Sequence, residues 1–275
     1  MQSFYLYVEN QIHDLLKAYY LKVKGMPSLV DIHTIERKGK IAIIGDSHGD
    51  FSSLASAFQK IPKGAPVVIL GDLVDRGENG LLNLLLTVEF SLINHSIYYL
   101  RGNHETRLMN MEYGFYEELL VHDLSQLYPE ILSVFSVLPY AGLCNDRLFM
   151  VHAGIPKEAV RLDQIRELPR GFDDPNDTLI MQLLWNDFDE RTVEWKYSER
   201  GPGIYIIGNK IVYNFLKDNR VDLIVRGHEI PKAGIYYSFS NHLVTVSSFQ
   251  NSRARAKFLM IIFDDKLEFE EISLP

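Results

Sequence analysis

The chain has 275 residues, 47% of them hydrophobic and 23% charged, with 18 glycines, 11 prolines and one cysteine; that composition excludes disordered and collagen-like classes. A net charge of −8, from 28 basic and 36 acidic side chains without a basic run, argues against nucleic-acid binding, which needs a basic footprint. No stretch approaches the roughly 20 apolar residues that cross a bilayer, the N-terminus lacks a signal-peptide pattern, and the lone Cys144 cannot close an internal disulfide, so no membrane partner is expected and the cytoplasm is the default compartment.

In chain order, Phe4, Val8, Ile12, Leu15, Leu16 and Tyr19 recur at helical spacing until Gly25-Met26-Pro27 interrupts them. Residues 1–38 therefore read as a helical segment packed on a single domain formed by 39–275; a division into two small domains near 145–165 is the alternative. From residue 40 the texture changes. Ile41–Ile44 runs into Gly45-Asp46-Ser47-His48-Gly49-Asp50, Val67–Leu70 into Gly71-Asp72-Leu73-Val74-Asp75-Arg76-Gly77, and Ile97–Leu100 into Arg101-Gly102-Asn103-His104-Glu105. Each unit reads as strand, polar loop and helix, which predicts an α/β fold with a mixed, two-layered sheet. Leu148–Val151 leads likewise to His152-Ala153-Gly154, and Leu223–Arg226 to Gly227-His228-Glu229. Four strands after residue 233 (235–239, 243–246, 258–263 and 267–271) read as an antiparallel meander.

In open α/β sheets ligands bind beyond the carboxyl ends of the strands. Asp46, His48, Asp72, Asp75, Asn103, His104, His152 and His228 all fall there. One such loop alone reads as ordinary turn chemistry. Five in five successive strand-end positions point to a common rim of carboxylate, imidazole and amide oxygen without thiolate. That donor set suits divalent ions such as Mn²⁺, Fe or Zn²⁺.

GDxHG, GDxVDRG and RGNHE, followed by His-Ala-Gly and Arg-Gly-His, resemble the PPP-family metallophosphatases, and within them the serine/threonine protein phosphatases of the type-1/type-2A branch. Tyr113–Glu118, Leu183–Asp187 and Glu199-Arg200-Gly201 support that branch. The resemblance runs from about residue 40 to 265. It implies a calcineurin-like metallophosphoesterase fold, a central two-layered mixed β-sandwich flanked by helices, whose catalytic domain would be 39–275. It implies that Asp46, His48 and Asp72 hold one divalent ion, and that Asp72 bridges to a second ion held by Asn103, His152 and His228. Ions bridged in this way lie about 3.5–4 Å apart, and hydroxide shared between them would attack phosphorus in line with the leaving oxygen. His104 would be the general acid, oriented and kept protonated by Asp75. Arg76, Arg200 and Asn103 would bind the substrate phosphate. Arg101 and Arg226 read as structural, pairing carboxylates beneath the loops.

Phosphoproteins carrying phosphoserine or phosphothreonine are the implied substrates, and two Mn²⁺ the implied cofactors. Two features differ from many relatives: Ala153 stands within His-Ala-Gly, and the loop Ser247–Ser252 lacks the tyrosine of eukaryotic members. No autoinhibitory tail follows the last expected strand, which suggests a short, prokaryote-like form. A symmetrical diadenosine-tetraphosphate hydrolase is the rival enzyme, and a catalytically silent phosphoprotein-binding module the rival from another class.

Overall fold

The computed structural model describes residues 2–34 and 39–275, with side chains from Glu9 onward. In it, α1 (Gln2–Val23) is followed by β1 (Leu29–Ile32), β2 (Lys40–Ile44), α2 (Phe51–Lys60), β3 (Val67–Ile69), α3 (Gly80–Ile93) and β4 (Ile97–Tyr99). Next come α4 (Arg107–Tyr113), α5 (Phe115–Val121), α6 (Tyr128–Ser136), β5 (Ala141–Cys144), β6 (Leu148–Val151), α7 (Leu162–Arg166) and α8 (Thr178–Trp185). The chain then forms β7 (Asp187–Phe188), β8 (Trp195–Tyr197), β9 (Tyr205–Ile207), α9 (Asn209–Asn219) and β10 (Leu223–Arg226). Four strands finish it: β11 (Ile235–Ser238), β12 (Leu243–Val246), β13 (Lys257–Phe263) and β14 (Leu267–Ser273).

Two sheets face each other. One has five strands in the order β14-β13-β2-β3-β4, the other six in the order β1-β5-β6-β10-β12-β11. Side chains alternate across each strand, so both faces of these buried strands must be apolar. Ile41 and Ile43 point into the sandwich against Val68, Met150, Val225 and Val244. Ala42 and Ile44 point outward to a layer built by α1, α2, α3, α5 and α6. On the outer face of the six-stranded sheet, Phe149, Val151 and Ile224 pack with Ile165, Leu183, Val212 and Phe215 of α7, α8 and α9. The mixed, two-layered α/β arrangement is therefore the one expected from the strand–loop–helix units, and the sandwich flanked by helices is the one the family resemblance implies.

Two expectations change. The helical reading of 1–38 holds only to Val23; after Gly25-Met26-Pro27 the chain extends, and Leu29–Ile32 pairs in parallel with Ala141–Cys144 as an edge strand. Val30 and Ile32 face the sandwich while Asp31 on the opposite face is exposed, a period of two too short to stand out beside the preceding helix. Residues 35–38 of that segment lie outside the described residues. The expected C-terminal meander divides between the layers: β11 and β12 form a hairpin in one sheet, β13 and β14 a hairpin in the other. β12 runs parallel to β10, and β13 antiparallel to β2.

This division positions the rim. β2, β3 and β4 are parallel, as are β6, β10 and β12. A bridge between Asp46 and Ser247 ties the end of β2 to the end of β12, so the strand ends of the two sheets meet there.

Candidate metal centre and active site

All five strand-end loops converge on that junction, and the backbones of those after β2, β3 and β10 adopt unusual conformations. His48, Asp72, Asp75, Arg76 and His228 all have φ between 41° and 68°, a left-handed region costly for residues with a Cβ. Two glycines permit the close approach. A Cβ on Gly102 would lie 2.2 Å from Asp72 Oδ1, and one on Gly227 would lie 2.2 Å from Asp46 Oδ1. The RGN and RGH motifs therefore need glycine so that each aspartate can fit against a neighbouring loop.

The donors form two groups sharing Asp72. Asp72 Oδ2 lies 3.7 Å from His48 Nε2 and 3.4 Å from His152 Nε2, while its Oδ1 accepts the His104 N–H at 2.9 Å. Asp46 Oδ2 lies 4.0 Å from His48 Nε2, and Asp46 Oδ1 accepts the His228 N–H at 2.9 Å. On the other side, Asn103 Oδ1 sits 2.8 Å from both His152 Nε2 and His228 Nδ1, which are 3.2 Å apart.

Their protonation shows what this arrangement fits. His48 Nδ1 faces the Val74 carbonyl and His152 Nδ1 the Leu70 carbonyl, each at 3.0 Å. A carbonyl only accepts, so Nδ1 carries the proton and Nε2 of the neutral ring presents a lone pair. Burial, reinforced at His152 by the charge of Arg226, holds both imidazoles well below their usual range. The Nε2 lone pairs then face Asp46, Asp72 and Asn103 oxygens, acceptor against acceptor. Among the described residues, Asp46 Oδ2 is buried without a hydrogen-bond partner. Burial raises Asp46 to about 7, and burial with the charges of Asp46 and Glu105 raises Asp72 well above its usual value. Lone pairs and carboxylates turned on one another in this way suit cations.

Beside this centre His104 Nδ1 lies 2.7 Å from Asp75 Oδ2. Asp75 is fixed from three sides: Phe115 N–H donates to Oδ1 at 3.0 Å, Asn110 Nδ2 to Oδ2 at 3.1 Å, and Asn110 also holds the His104 carbonyl at 2.7 Å. The Tyr-Gly-Phe-Tyr segment thus acts on the dyad. The surroundings of the pair work against the protonated ring that Asp75 is expected to maintain. Burial, then the charges of Arg76 and Arg200, pushes His104 down to about 3, and burial lifts Asp75 to about 7. The short contact instead fixes a proton between Nδ1 and the carboxylate. Among the described residues, His104 also joins His48 and Asp72 in one of two groups close enough to hold an ion, the other being Asp72, His152 and His228.

Arg76 is exposed, with its guanidinium 5.0 Å from the Tyr113 ring centroid, a cation–π contact. Arg200 reaches the same cleft of about 1230 Å³, but its Nε is engaged with Asp187 Oδ2 at 2.6 Å. Arg226, buried below, spans Asp187, Glu229 and two carbonyls. Arg101 departs from the carboxylate pairing expected of it: it donates to the carbonyls of Glu105 and Asp173. Sequence reasoning did not assign Asp187 a role, although it lies within the quoted Leu183–Asp187 motif; nor did it see that Phe249, in the loop after β12, sets its ring 5.6 Å from that of His48.

A two-layered sandwich with oxygen and imidazole donors gathered where its strands end defines a metal-dependent phosphoesterase. The model of the calcineurin-like phosphoesterase family matches residues 39–231, and the chain belongs to that family, whose members use a dinuclear metal centre. Among solved structures, a protein serine/threonine phosphatase from Saccharomyces cerevisiae with similarity to human phosphatase PP5 is 25% identical. That match covers 97% of this chain and 90% of the yeast chain, with a TM-score of 0.90, and supports a PPP-family phosphatase. A cold-active protein-tyrosine phosphatase of a psychrophilic Shewanella shares the fold at 19% identity, covering 90% of this chain and 84% of its own, with a TM-score of 0.61.

Proposed function

We propose that the protein is a serine/threonine phosphoprotein phosphatase working with two divalent ions, drawn from the Mn²⁺, Fe and Zn²⁺ that its carboxylate, amide and imidazole donors suit, with Mn²⁺ the first to test. The observation that carries this reading is the position of Asp72: one carboxylate oxygen faces both His48 Nε2 and His152 Nε2, with the His104–Asp75 pair alongside. In this reading Asp46, His48 and Asp72 hold one ion, and Asp72, Asn103, His152 and His228 hold the other. Bound there, such ions activate water and offset phosphoryl charge.

The chain's own residues supply the rest. Arg76, stacked on Tyr113 at the mouth of the cleft, offers its fork to phosphate oxygens, and Arg200 offers the part of its guanidinium that Asp187 leaves free. The Asn103 amide, whose Oδ1 faces His152 and His228 at the cleft, offers its NH₂ to a phosphate oxygen. His104 gives a proton to the leaving serine or threonine oxygen. The arriving phosphate dianion favours the imidazolium that burial and the two arginines oppose. Asp75, locked by Phe115 and Asn110, fixes the ring so that Nε2 faces the ester oxygen.

A panel assayed with Mn²⁺ tests the assignment: phosphoserine, phosphothreonine and phosphotyrosine peptides beside diadenosine tetraphosphate. Turnover of the first two above the others is expected. Preference for the dinucleotide would make this a nucleotide hydrolase, and inactivity on all four would revive the binding-module reading.

A further inference from the structure

Each imidazole assigned to the ions has one nitrogen turned to the centre and one turned outward. For His48 and His152 the outward nitrogen, Nδ1, is fixed by a backbone carbonyl at 3.0 Å. His228 is reversed. Its Nδ1 faces Asn103 and His152; with an ion bound there in the proposed reading, Nδ1 gives its lone pair to the ion and the proton lies on the outward Nε2, which is buried and, among the described residues, without a hydrogen-bond partner. The carboxylate facing that nitrogen is Asp187, whose Oδ1 stands 4.0 Å away, beyond hydrogen-bond length. Trp185 closes the other approach, its ring edge-on to His228 with centroids 5.8 Å apart.

The same carboxylate seats Arg200, whose Nε donates to Oδ2 at 2.6 Å and whose Nη2 lies 3.4 Å from Oδ1. From below, the buried Arg226 donates to Oδ1 at 2.9 Å. Asp187 cannot move far: it begins β7, and Asn186 before it is held by Ile155 and Tyr205. A single fixed carboxylate therefore touches a phosphate-facing arginine and faces the outer nitrogen of a metal-facing histidine. We infer that Asp187 is a positioning residue that orients His228 and Arg200 together, coupling occupancy of the second metal position to recognition of the substrate phosphate. Carboxylates in this outer position fix the imidazole tautomer and strengthen the ligand, and losing them typically weakens metal affinity about 10–100-fold. This inference rests on the proposed metal and phosphate assignments.

The experiment is calorimetric titration of the metal-stripped full chain with Mn²⁺, followed by inhibition of the Mn²⁺-loaded protein with inorganic phosphate. Asp187→Asn should weaken one of two Mn²⁺ sites about 10–100-fold and also weaken phosphate inhibition. Arg200→Ala should weaken phosphate inhibition and leave Mn²⁺ binding intact. The double variant should lose no more phosphate affinity than the worse of the single variants, since Asp187 acts on phosphate through Arg200. If Asp187→Asn keeps wild-type affinity at both metal positions, or if the phosphate losses simply add, the coupling is wrong and Asp187 only neutralises Arg226. Should the Asn variant not fold, Asp187→Glu carries the same test. It keeps the charge but displaces it by one methylene, so both affinities must fall together, and a fall in one alone overturns the coupling. A wild-type chain that binds no Mn²⁺ would remove the metal assignment itself, and the inference with it.

Discussion

At the scale of the residue, His104 has two possible employments that geometry alone brings close. It could be a third ligand with His48 and Asp72, or a proton donor tethered to Asp75. Its Nδ1 is committed to the carboxylate and its amide to Asp72, which favours the donor. His104→Asn should therefore keep both ions, measured by elemental analysis, and reduce turnover of phosphoserine by about 10²–10⁴-fold. An aryl phosphate, with a better leaving group, should lose far less; equal losses, or loss of an ion, would return His104 to the ligands. Most of this site was legible in the chain because each donor follows an apolar run within a few residues. Asp187 was not, because its meaning depends on Arg200 from the turn between β8 and β9 and on Arg226 from β10.

At the scale of the element, the loops after β3 and β4 are held as one unit by a buried carboxylate. Glu105 Oε2 accepts the Asp72 and Gly102 N–H groups at 2.8 Å each, and Oε1 accepts Leu73 N–H at 3.0 Å. All three partners are donors, so only a group with two acceptor oxygens fits. Glu105→Gln, identical in shape, turns an NH₂ against at least one backbone N–H, at a cost of about 1–3 kcal/mol for each unsatisfied donor. Thermal unfolding should show that loss, and Mn²⁺ affinity should fall with it as Asp72 shifts. An unchanged melting temperature would mean that the loops hold without this cradle. Strands that carry loop motifs were readable from sequence. β1 and β5 were not, since Leu29–Ile32 and Ala141–Cys144 are four-residue runs whose pairing spans more than a hundred positions.

At the scale of the whole molecule, the sandwich closes over a core that includes Cys144. Burial pushes its thiol up to about 12. A thiol whose folded pKa exceeds its unfolded value lends stability that is intact below about pH 8.5 and is lost as pH rises toward the folded pKa. At pH 8 the native chain should therefore react with a thiol reagent at least about a hundredfold more slowly than the unfolded chain; comparable rates would mean the two sheets open readily. The net charge of −8 bears on the other end of the molecule. In the proposed reading, a phosphate dianion approaching this acidic protein is attracted where Arg76, Arg200 and bound cations outweigh Asp46 and Asp72. The most direct measurement is Mn²⁺ titration of verified metal-free protein against turnover of a phosphothreonine peptide. Activity should be absent at the start, appear with added metal and saturate at about two ions per chain, as a two-metal centre requires. Full turnover in excess chelator, or saturation with no metal bound, would contradict the account.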